Sequence, residues 1–279
     1  MDLLNIVWGP TPEIINIGGV GIRYYSLCWV IAFALGFYIL KRVYEKENIN
    51  IILLENLLIY IFIGSLVGAR LGHCLFYDFE HYIDNPLEII LPFAINEDGI
   101  WKFIGYAGLA SHGGVIGIII AIGIYSLKFK TNVWDLLDKL ALVGPLGGAF
   151  IRIGNFFNSE IIGKPTDSIL GVIFKRVDEL PRHASQLYEA FSYVLIFAIV
   201  YYIYNERRER HGIGFTFGVT ILLVFVSRFI IEFSKIIQSP FEENLPIDMG
   251  QILSLPFIIA GLIVCFWKCR SKDFNKVIN

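Results

Sequence analysis

The chain has 279 residues, of which 56% are hydrophobic and only 17% carry a charge. Soluble domains have roughly a quarter of their residues charged, so the composition excludes an ordinary soluble protein and favours a polytopic membrane protein. The formal net charge of −2 predicts no nucleic-acid partner.

Seven apolar runs approach the length of about 20 residues that a helix needs to cross a bilayer. The fourth run contains Asp135, Asp138 and Lys139 and would be weak without partners for these charges. We predict an all-α polytopic membrane protein with about seven transmembrane helices, forming a single integral membrane domain over residues 1–279. The predicted spans are residues 22–40, 54–76, 104–127, 133–151, 188–204, 213–234 and 250–267.

Basic residues follow spans one, three, five and seven, on one predicted side of the membrane. By the positive-inside rule that side is cytoplasmic, so the N-terminus is predicted outside and the C-terminus inside. The first 21 residues lack the basic region of a cleavable signal peptide, and span one should be retained. The basic residues are Lys41, Arg42, Lys46, Lys128, Lys130, Arg207, Arg208, Arg210, Lys268, Arg270, Lys272 and Lys276.

One outer segment, residues 152–187, is long enough to form a small external cap. Ile169–Phe174 has the β-branched and aromatic character of a strand, and Pro181 bounds it. The cysteines suggest no comparable structure. Two lie in predicted spans and two at the end of span seven, and no further His or Cys completes a metal-ligand set. We expect them to be small apolar fillers.

The main polar feature is the stretch G-G-A-F-I-R-I-G-N-F-F-N-S-E-I-I-G. It puts Arg152, Asn155, Asn158 and Glu160 at the end of the apolar run of span four. Charges near a bilayer are paired, face a cavity or lie near headgroups, so the stretch predicts a polar site at a membrane surface. The alternative is an interfacial loop whose arginine extends to the headgroups.

His112 lies in A-S-H-G-G-V-I-G, in the predicted outer part of span three. Its imidazole can accept a proton near neutral pH, and Gly113 and Gly114 would let a ligand or a neighbouring helix approach closely. The alternative is a packed histidine whose ring nitrogens are satisfied by neighbouring helices, beside glycines that serve only helix packing.

Arg228 and Glu232 lie four residues apart in span six, on one helical face. They could form an internal ion pair, or Arg228 could bind phosphate in a bidentate manner with Glu232 fixing the guanidinium. Arg70 adds a cation in the outer half of span two. Its alternative role is a buried salt bridge.

The segment R-H-A-S-Q-L-Y-E enters span five. Ser185 and Gln186 could cap that helix, and Tyr188 would be an aromatic anchor at headgroup depth. Tyr24 and Tyr25 begin span one and suggest the same anchoring role. Tyr25 could also project inward and hydrogen-bond a substrate.

The chain lacks the motifs of a serine hydrolase, a zinc protease or a P-loop protein. Ser111 precedes His112 directly, and adjacent helical residues do not form a nucleophile–base pair. The chain therefore supplies cations, a base and hydrogen-bond donors but no nucleophile of its own, which suggests two substrates that react with each other.

Together these segments resemble the prolipoprotein diacylglyceryl transferase family of the bacterial inner membrane. The resemblance extends from about Tyr24 to Pro256. The long stretch from Arg152 to Gly163 is highly specific, and the other segments follow in the order of the family. The matching segments are R-Y-Y-S-L, G-A-R-L-G, H-G-G-V-I-G, R-I-G-N-F-F-N-S-E-I-I-G, R-H-A-S-Q-L-Y-E, R-F-I-I-E-F and M-G-Q-I-L-S-L-P.

The resemblance implies transfer of the diacylglyceryl group of phosphatidylglycerol to the lipobox cysteine of a preprolipoprotein signal peptide, giving a thioether and a glycerol phosphate. No metal or organic cofactor is required. His112, Arg152 and Arg228 would be catalytic, although Arg and Tyr could activate the thiol instead of His112. The other site residues, which would bind substrate, are Tyr25, Arg70, Gly113, Gly114, Asn155, Asn158, Glu160, Gly163 and Glu232.

Three positions depart from the family pattern. Ala184 replaces a proline, Val224 replaces a common tyrosine, and Lys235 stands where arginine is common. The last two put a secondary lipid contact in doubt. Two other classes remain open, a transporter or channel and an intramembrane protease, but internal repeats and a catalytic Ser/His or Asp/Asp pair are not evident in the sequence.

Overall fold

The computed structural model describes residues 6–17, 20–91, 93–95, 101–103, 108–236 and 247–277. In this part of the chain, seven helices are long and apolar enough to cross a membrane, which confirms the predicted all-α polytopic class. The side on which each terminus lies stays a prediction. The α-helices are α1 (Tyr24–Lys46), α2 (Ile51–Phe76), α3 (Phe79–Asp84), α4 (Leu87–Ile90), α5 (Ser111–Phe129), α6 (Val133–Asn158), α7 (Ser185–Tyr202), α8 (Arg208–His211), α9 (Phe215–Glu232) and α10 (Met249–Val277), with a π-helical turn at Ile203–Arg207.

Predicted span boundaries need correction at several helices. Helices α1 and α10 continue to Lys46 and Val277, past the predicted ends at residues 40 and 267. Span three was expected to begin at residue 104, but residues 104–107 lie outside the described part and α5 begins at Ser111. Span four was expected to end at residue 151, but α6 continues to Asn158. The apolar run in the sequence ends just before Arg152. The helix continues beyond it because Arg152 finds partners in Asn155 and Glu189.

The residues group into two compact units, Met1–Leu40 with Leu137–Asn279, and Lys41–Leu136. The second unit is built on α2 and α5. Gly72 of α2 lies so close to α5 that a Cβ atom there would be 2.8 Å from the Cα atom of Gly113. Small residues let helix backbones approach in a membrane, so this contact explains the glycines on both helices. The expectation of one domain over the whole chain stays a prediction.

In the first unit, α9 packs on α10 and α7. A Cβ atom on Gly261 of α10 would be 2.8 Å from the backbone nitrogen of Leu222, and the Ser227 hydroxyl donates to Ser192 at 2.7 Å. Asp138 of α6 is fully buried and accepts from the backbone nitrogens of Gly214 and Phe217 at 2.6 and 2.8 Å. A carboxylate at a helix N-terminus is stabilised by the helix dipole, so this charge of span four has the partner that it needs.

A small sheet adjoins the end of α6. Its strands are β1 (Ile6–Trp8), β6 (Val172–Phe174) and β7 (Pro181–Arg182), with β1 parallel and β7 antiparallel to β6. Residues 152–187 thus contain a strand where one was predicted, although it is shorter, and Pro181 belongs to β7. Two hairpins complete the strands, β2 (Glu13–Ile17) with β3 (Val20–Arg23) and β4 (Phe93–Ile95) with β5 (Trp101–Phe103).

Tertiary contacts hold this sheet against α6. The Trp8 indole donates to the carbonyl oxygen of Phe156 at 3.0 Å, and the rings of Phe156 and Phe174 meet edge to face at 5.7 Å. The sheet therefore fixes the end of α6 and the loop that follows it. That this segment is external to the membrane stays a prediction.

Candidate active site

Four charged side chains form a buried charge cluster, which consists of Arg152 of α6, Glu189 of α7, Glu232 of α9 and Lys235, which follows α9. The Glu189 side chain is 0% exposed and lies 2.6 Å from Arg152 Nε and 3.0 Å from Lys235 Nζ. Lys235 also contacts Glu232 at 2.9 Å. The cluster carries two positive and two negative charges, so its members neutralise one another, as buried charges require.

Arg152 is held on a second side by the loop that ends α6. Its Nη1 atom donates to Asn155 Oδ1 at 3.2 Å, and Asn155 Nδ2 donates in turn to Glu160 at 3.0 Å. Asn158 donates to the other Glu160 oxygen at 3.1 Å. The predicted set of Arg152, Asn155, Asn158 and Glu160 is thus one hydrogen-bonded chain. This arrangement differs from the alternative of an interfacial loop whose arginine extends alone to the headgroups.

The backbone around Glu160 is strained. Ser159 and Ile161 have φ angles of 55° and 56°, a left-handed conformation that is a genuine outlier for a β-branched residue such as Ile161. Buried Gln186 holds the loop by donating to the Glu160 carbonyl oxygen at 2.5 Å. Such strain clusters at functional sites, which agrees with a binding role for this loop.

Gly163, a predicted site residue, continues the loop in a crowded position. Its nitrogen donates to the His183 carbonyl oxygen at 2.9 Å, and a Cβ atom would lie 2.6 Å from Ser185 Oγ. A bridge pairs Gly163 with Lys235. Because Gly163 has no side chain, the loop can lie directly against Lys235 of the buried charge cluster.

Arg228 differs from the other buried or half-buried cations of this unit. It lies one helical turn before Glu232 in α9 and is half-buried, yet within the described ranges its guanidinium makes no hydrogen bond and no ion pair. Of the two alternatives for this pair of residues, the Arg228–Glu232 ion pair is not formed, and Glu232 pairs with Lys235 instead. The Glu232 carboxylate, which would have oriented Arg228 in the phosphate-binding alternative, therefore contacts Lys235 instead.

An apolar cavity of about 360 Å³ adjoins these residues in the same unit. Its polar lining residues are Arg152, Tyr193 and Thr220. Val224 of α9 also lines the cavity, and Arg228 follows Val224 by one helical turn. The remaining lining residues are Gly144, Pro145, Gly148, Ile151, Ile221 and Phe225.

Tyr25 packs against the same end of α6. A Cβ atom on Gly154 would lie 2.6 Å from Tyr25 Cδ2, and the Tyr25 hydroxyl makes no hydrogen bond to any residue that the structure describes. The neighbouring Tyr24 stacks on Phe157 at 4.5 Å. The inward orientation suggested for Tyr25 agrees with this packing.

The second unit holds His112, Gly113, Gly114 and Arg70. His112 is exposed near the start of α5 and has no hydrogen-bond partner among the described residues, which favours the functional interpretation over a packed histidine; its role as a base stays a prediction. A Cβ atom on Gly114 would lie at ordinary contact distances, 3.5 Å from Ser65 O. Substrate binding by the two glycines stays a prediction, and the contact of Gly113 with α2 favours helix packing.

Arg70 is buried and donates to backbone carbonyl oxygens of the segment that follows α2. The distances are 3.2 Å to Ile89 and 3.4 Å to Gly108, and Tyr82 lies under the guanidinium at 4.9 Å. These contacts favour a role in holding this segment. Substrate binding by Arg70 stays a prediction.

Near the small sheet, the Arg182 guanidinium pairs with Asp178, with Nε 3.0 Å from a carboxylate oxygen. The hydrogen bond from Arg182 lowers the pKa of Asp178, and the same contact raises the pKa of Arg182. This pair joins the turn before β7 to the strand. Arg182 also donates to the Gly163 carbonyl oxygen at 3.4 Å, so the pair supports the loop that reaches the buried charge cluster.

Comparison with known proteins identifies the family. A profile described as prolipoprotein diacylglyceryl transferase matches residues 12–267. The chain belongs to the prolipoprotein diacylglyceryl transferase family. The phosphatidylglycerol–prolipoprotein diacylglyceryl transferase of Bacteroides fragilis is 43% identical over 97% of this chain and 98% of its own. Relatives of the same name from Tolumonas auensis and Chloroherpeton thalassium are 40% and 38% identical, covering 96% and 97% of this chain and 99% and 97% of their own.

Membership confirms the family predicted from the motifs, and with it a multi-pass membrane transferase of lipoprotein biosynthesis. The transporter and protease alternatives are wrong. Among the departures from the family pattern, Ala184 is buried at the start of α7 and packs in the core of the small sheet. Lys235 is buried between Glu189 and Glu232, so it stabilises the transferase internally.

Sequence reasoning missed the centre of the site. Glu189 stood in a matching motif but was not selected, although a carboxylate inside a predicted span is itself a functional signal. Ser185 and Gln186 were expected to cap α7, and this is wrong: the N-cap is Ala184. Ser185 Oγ instead contacts Ser234 Oγ at 2.8 Å. Both side chains join separate segments of the transferase, which local sequence does not reveal.

Proposed function

We propose that this transferase moves the diacylglyceryl group of phosphatidylglycerol to the lipobox cysteine of a preprolipoprotein, in the bacterial inner membrane. The cysteine sulfur forms a bond to the glyceryl carbon and the bond from that carbon to the phosphate oxygen breaks. The electron pair leaves with a glycerol phosphate, and the thiol proton passes to a base. The names of the relatives support phosphatidylglycerol as the donor.

The observation that carries this proposal is the Arg228 guanidinium. Glu232, one helical turn away, is occupied by Lys235, and the structure shows no ion pair of Arg228 with any described residue, so a half-buried positive charge remains for an anion. A phospholipid phosphate supplies that anion at membrane depth, and guanidinium binds phosphate in a bidentate manner.

The charge of the phosphate increases during the reaction, because a diester becomes a monoester as the carbon–oxygen bond breaks. Arg152 and Arg228 would stabilise this developing charge, and preorganised cations in a water-poor site are effective at this. Arg152 is preorganised by Glu189 at 2.6 Å and Asn155 at 3.2 Å. Asn158 and Glu160 would orient the headgroup through the strained loop.

The attacking thiol belongs to the second substrate. A cysteine thiol has a pKa of about 8.5 and is mostly protonated at neutral pH, so a base increases its reactive fraction. His112 is our candidate, since its imidazole is exposed and forms no hydrogen bond within the described ranges. The alternative is that the Tyr25 hydroxyl activates the thiol by hydrogen bonding, without His112 acting as a base.

The test uses purified transferase, phosphatidylglycerol in detergent micelles and a synthetic lipobox peptide, with peptide mass as the readout. We expect an uncleaved peptide heavier by one diacylglyceryl group, together with released glycerol phosphate. A peptide with serine in place of the lipobox cysteine is the matched control and should stay unmodified. An unchanged cysteine peptide, or a cleaved one without lipid, would contradict the proposal.

A further inference from the structure

The cavity beside Arg152 follows two parallel stretches of helix. Gly144, Gly148 and Arg152 of α6 are spaced four residues apart and line it, so one face of α6 runs about 12 Å along the cavity at 1.5 Å per residue. On α9, Thr220 and Val224 line it with the same spacing. Arg228 follows one turn later.

Asp138 of α6 accepts from Gly214 N at 2.6 Å, and three residues further along α6 the Ala141 carbonyl oxygen accepts from Thr220 at 3.4 Å. The two helices therefore run in the same direction, and Arg152 and Arg228 lie towards the same end of the apolar cavity.

The rest of the lining is aliphatic, aromatic or glycine apart from Thr220 and Tyr193. This combination is complementary to a phospholipid, whose phosphate is anionic and whose acyl chains are apolar. An apolar peptide segment would supply no anion for Arg228, whereas Arg152 already has the Glu189 carboxylate.

The size of the cavity depends on glycine in α6. A Cβ atom added to Gly144 would meet no heavy atom within 4 Å, whereas one added to Gly148 would lie 3.0 Å from the Tyr193 ring. A longer side chain at Gly144 would thus extend into empty space in the cavity without displacing the backbone. Gly144 is therefore the position at which cavity length can be changed alone.

We infer that this cavity holds the part of an acyl chain of phosphatidylglycerol nearest the glycerol, and that Gly144 determines how long a chain the site accepts. The inference rests on the proposed function and adds a specificity-determining residue to it. The phosphate lies at Arg152 and Arg228, and the chain extends from there towards Gly144. The bonds formed and broken in diacylglyceryl transfer are the same as in the proposed function.

The test compares Gly144→Phe with Gly147→Phe. Gly147 lies in the same helix, has no heavy atom within 4 Å of an added Cβ atom, and does not line the cavity, so it is a matched control. Diacylglyceryl transfer is measured with short-chain and long-chain phosphatidylglycerol. For Gly144→Phe we expect KM for the long-chain donor to rise at least about 10-fold, with little change for the short-chain donor. Gly147→Phe should behave as the wild type.

Equal chain-length profiles for the two variants, with active wild-type protein, would overturn the inference and leave the proposed function intact. A Gly144→Phe defect that follows the apolar segment of the peptide, at unchanged donor KM, would overturn it by assigning the cavity to the signal peptide. Absence of transfer by the wild type would remove both proposals. Gly144→Leu repeats the comparison with a smaller side chain if the phenylalanine variant is poorly produced.

Discussion

Glu189 is the residue on which the arrangement of the active site depends, and Glu189→Gln tests this. The substitution keeps the shape of the side chain and removes one negative charge. Arg152 loses its ion pair at 2.6 Å and Lys235 loses one of its two carboxylates. Because the Glu189 side chain is 0% exposed, water does not replace the lost interactions.

The magnitude follows from burial and distance. Breaking a buried ion pair costs about 3–5 kcal/mol, and an effective dielectric constant of about 20 gives a similar value, about 4 kcal/mol for unit charges 4 Å apart. Arg152 would keep Asn155 as a hydrogen-bond partner but would be less precisely placed. A displacement of about 1 Å at a reacting group can reduce turnover by roughly 100-fold.

The assay measures thermal unfolding in detergent and the kcat of diacylglyceryl transfer on the same preparations. Lys235→Met is the comparison, since it removes one cation and leaves the Arg152–Glu189 pair in place. We expect both variants to be destabilised, and only Glu189→Gln to lose most of its turnover. A Glu189→Gln protein with wild-type stability and kcat would refute the reasoning. Equal losses of turnover in the two variants would show that Glu189 acts through stability alone.

Four other predictions can be checked independently. Arg228→Lys keeps the charge and loses the planar fork, so turnover should fall by roughly 100-fold at wild-type abundance; near-normal turnover would exclude phosphate binding. His112→Gln should lose about 10²–10⁴-fold in rate and recover partly at higher pH as the thiol ionises by itself; an equal defect at every pH would exclude a base. Asp178 has a pKa lowered by Arg182, so its stabilisation exists above the ordinary aspartate pKa and disappears as the pH falls through the lowered value; Asp178→Asn should reduce the acid sensitivity of the melting temperature. A C-terminal alkaline phosphatase fusion should be inactive in intact cells, and full activity would contradict the predicted cytoplasmic C-terminus.

The sequence by itself determined the class, the number of spans and the family. A bilayer requires about 20 apolar residues per helix, and this constraint is local, so hydropathy finds the spans without tertiary information. The stretch from Arg152 to Gly163 sufficed for the family because its order of residues is highly specific. The contiguous set Arg152, Asn155, Asn158 and Glu160 was found for the same reason, since its members are close in sequence.

Tertiary structure decided where helices end and which charges pair. Helix α6 continues past Arg152 because Glu189, 37 positions later in the chain, neutralises that charge, and hydropathy does not include such a partner. Spacing allowed Glu232 to pair with Arg228, but Lys235 is also within reach, and the packing of α7 selects Lys235 by placing Glu189 beside it. Arg228 is thereby left without an ion pair among the residues that the structure describes, and the proposed anion site depends on this. Ion pairing depends on distance in three dimensions, and helical periodicity predicts only which pairs are possible.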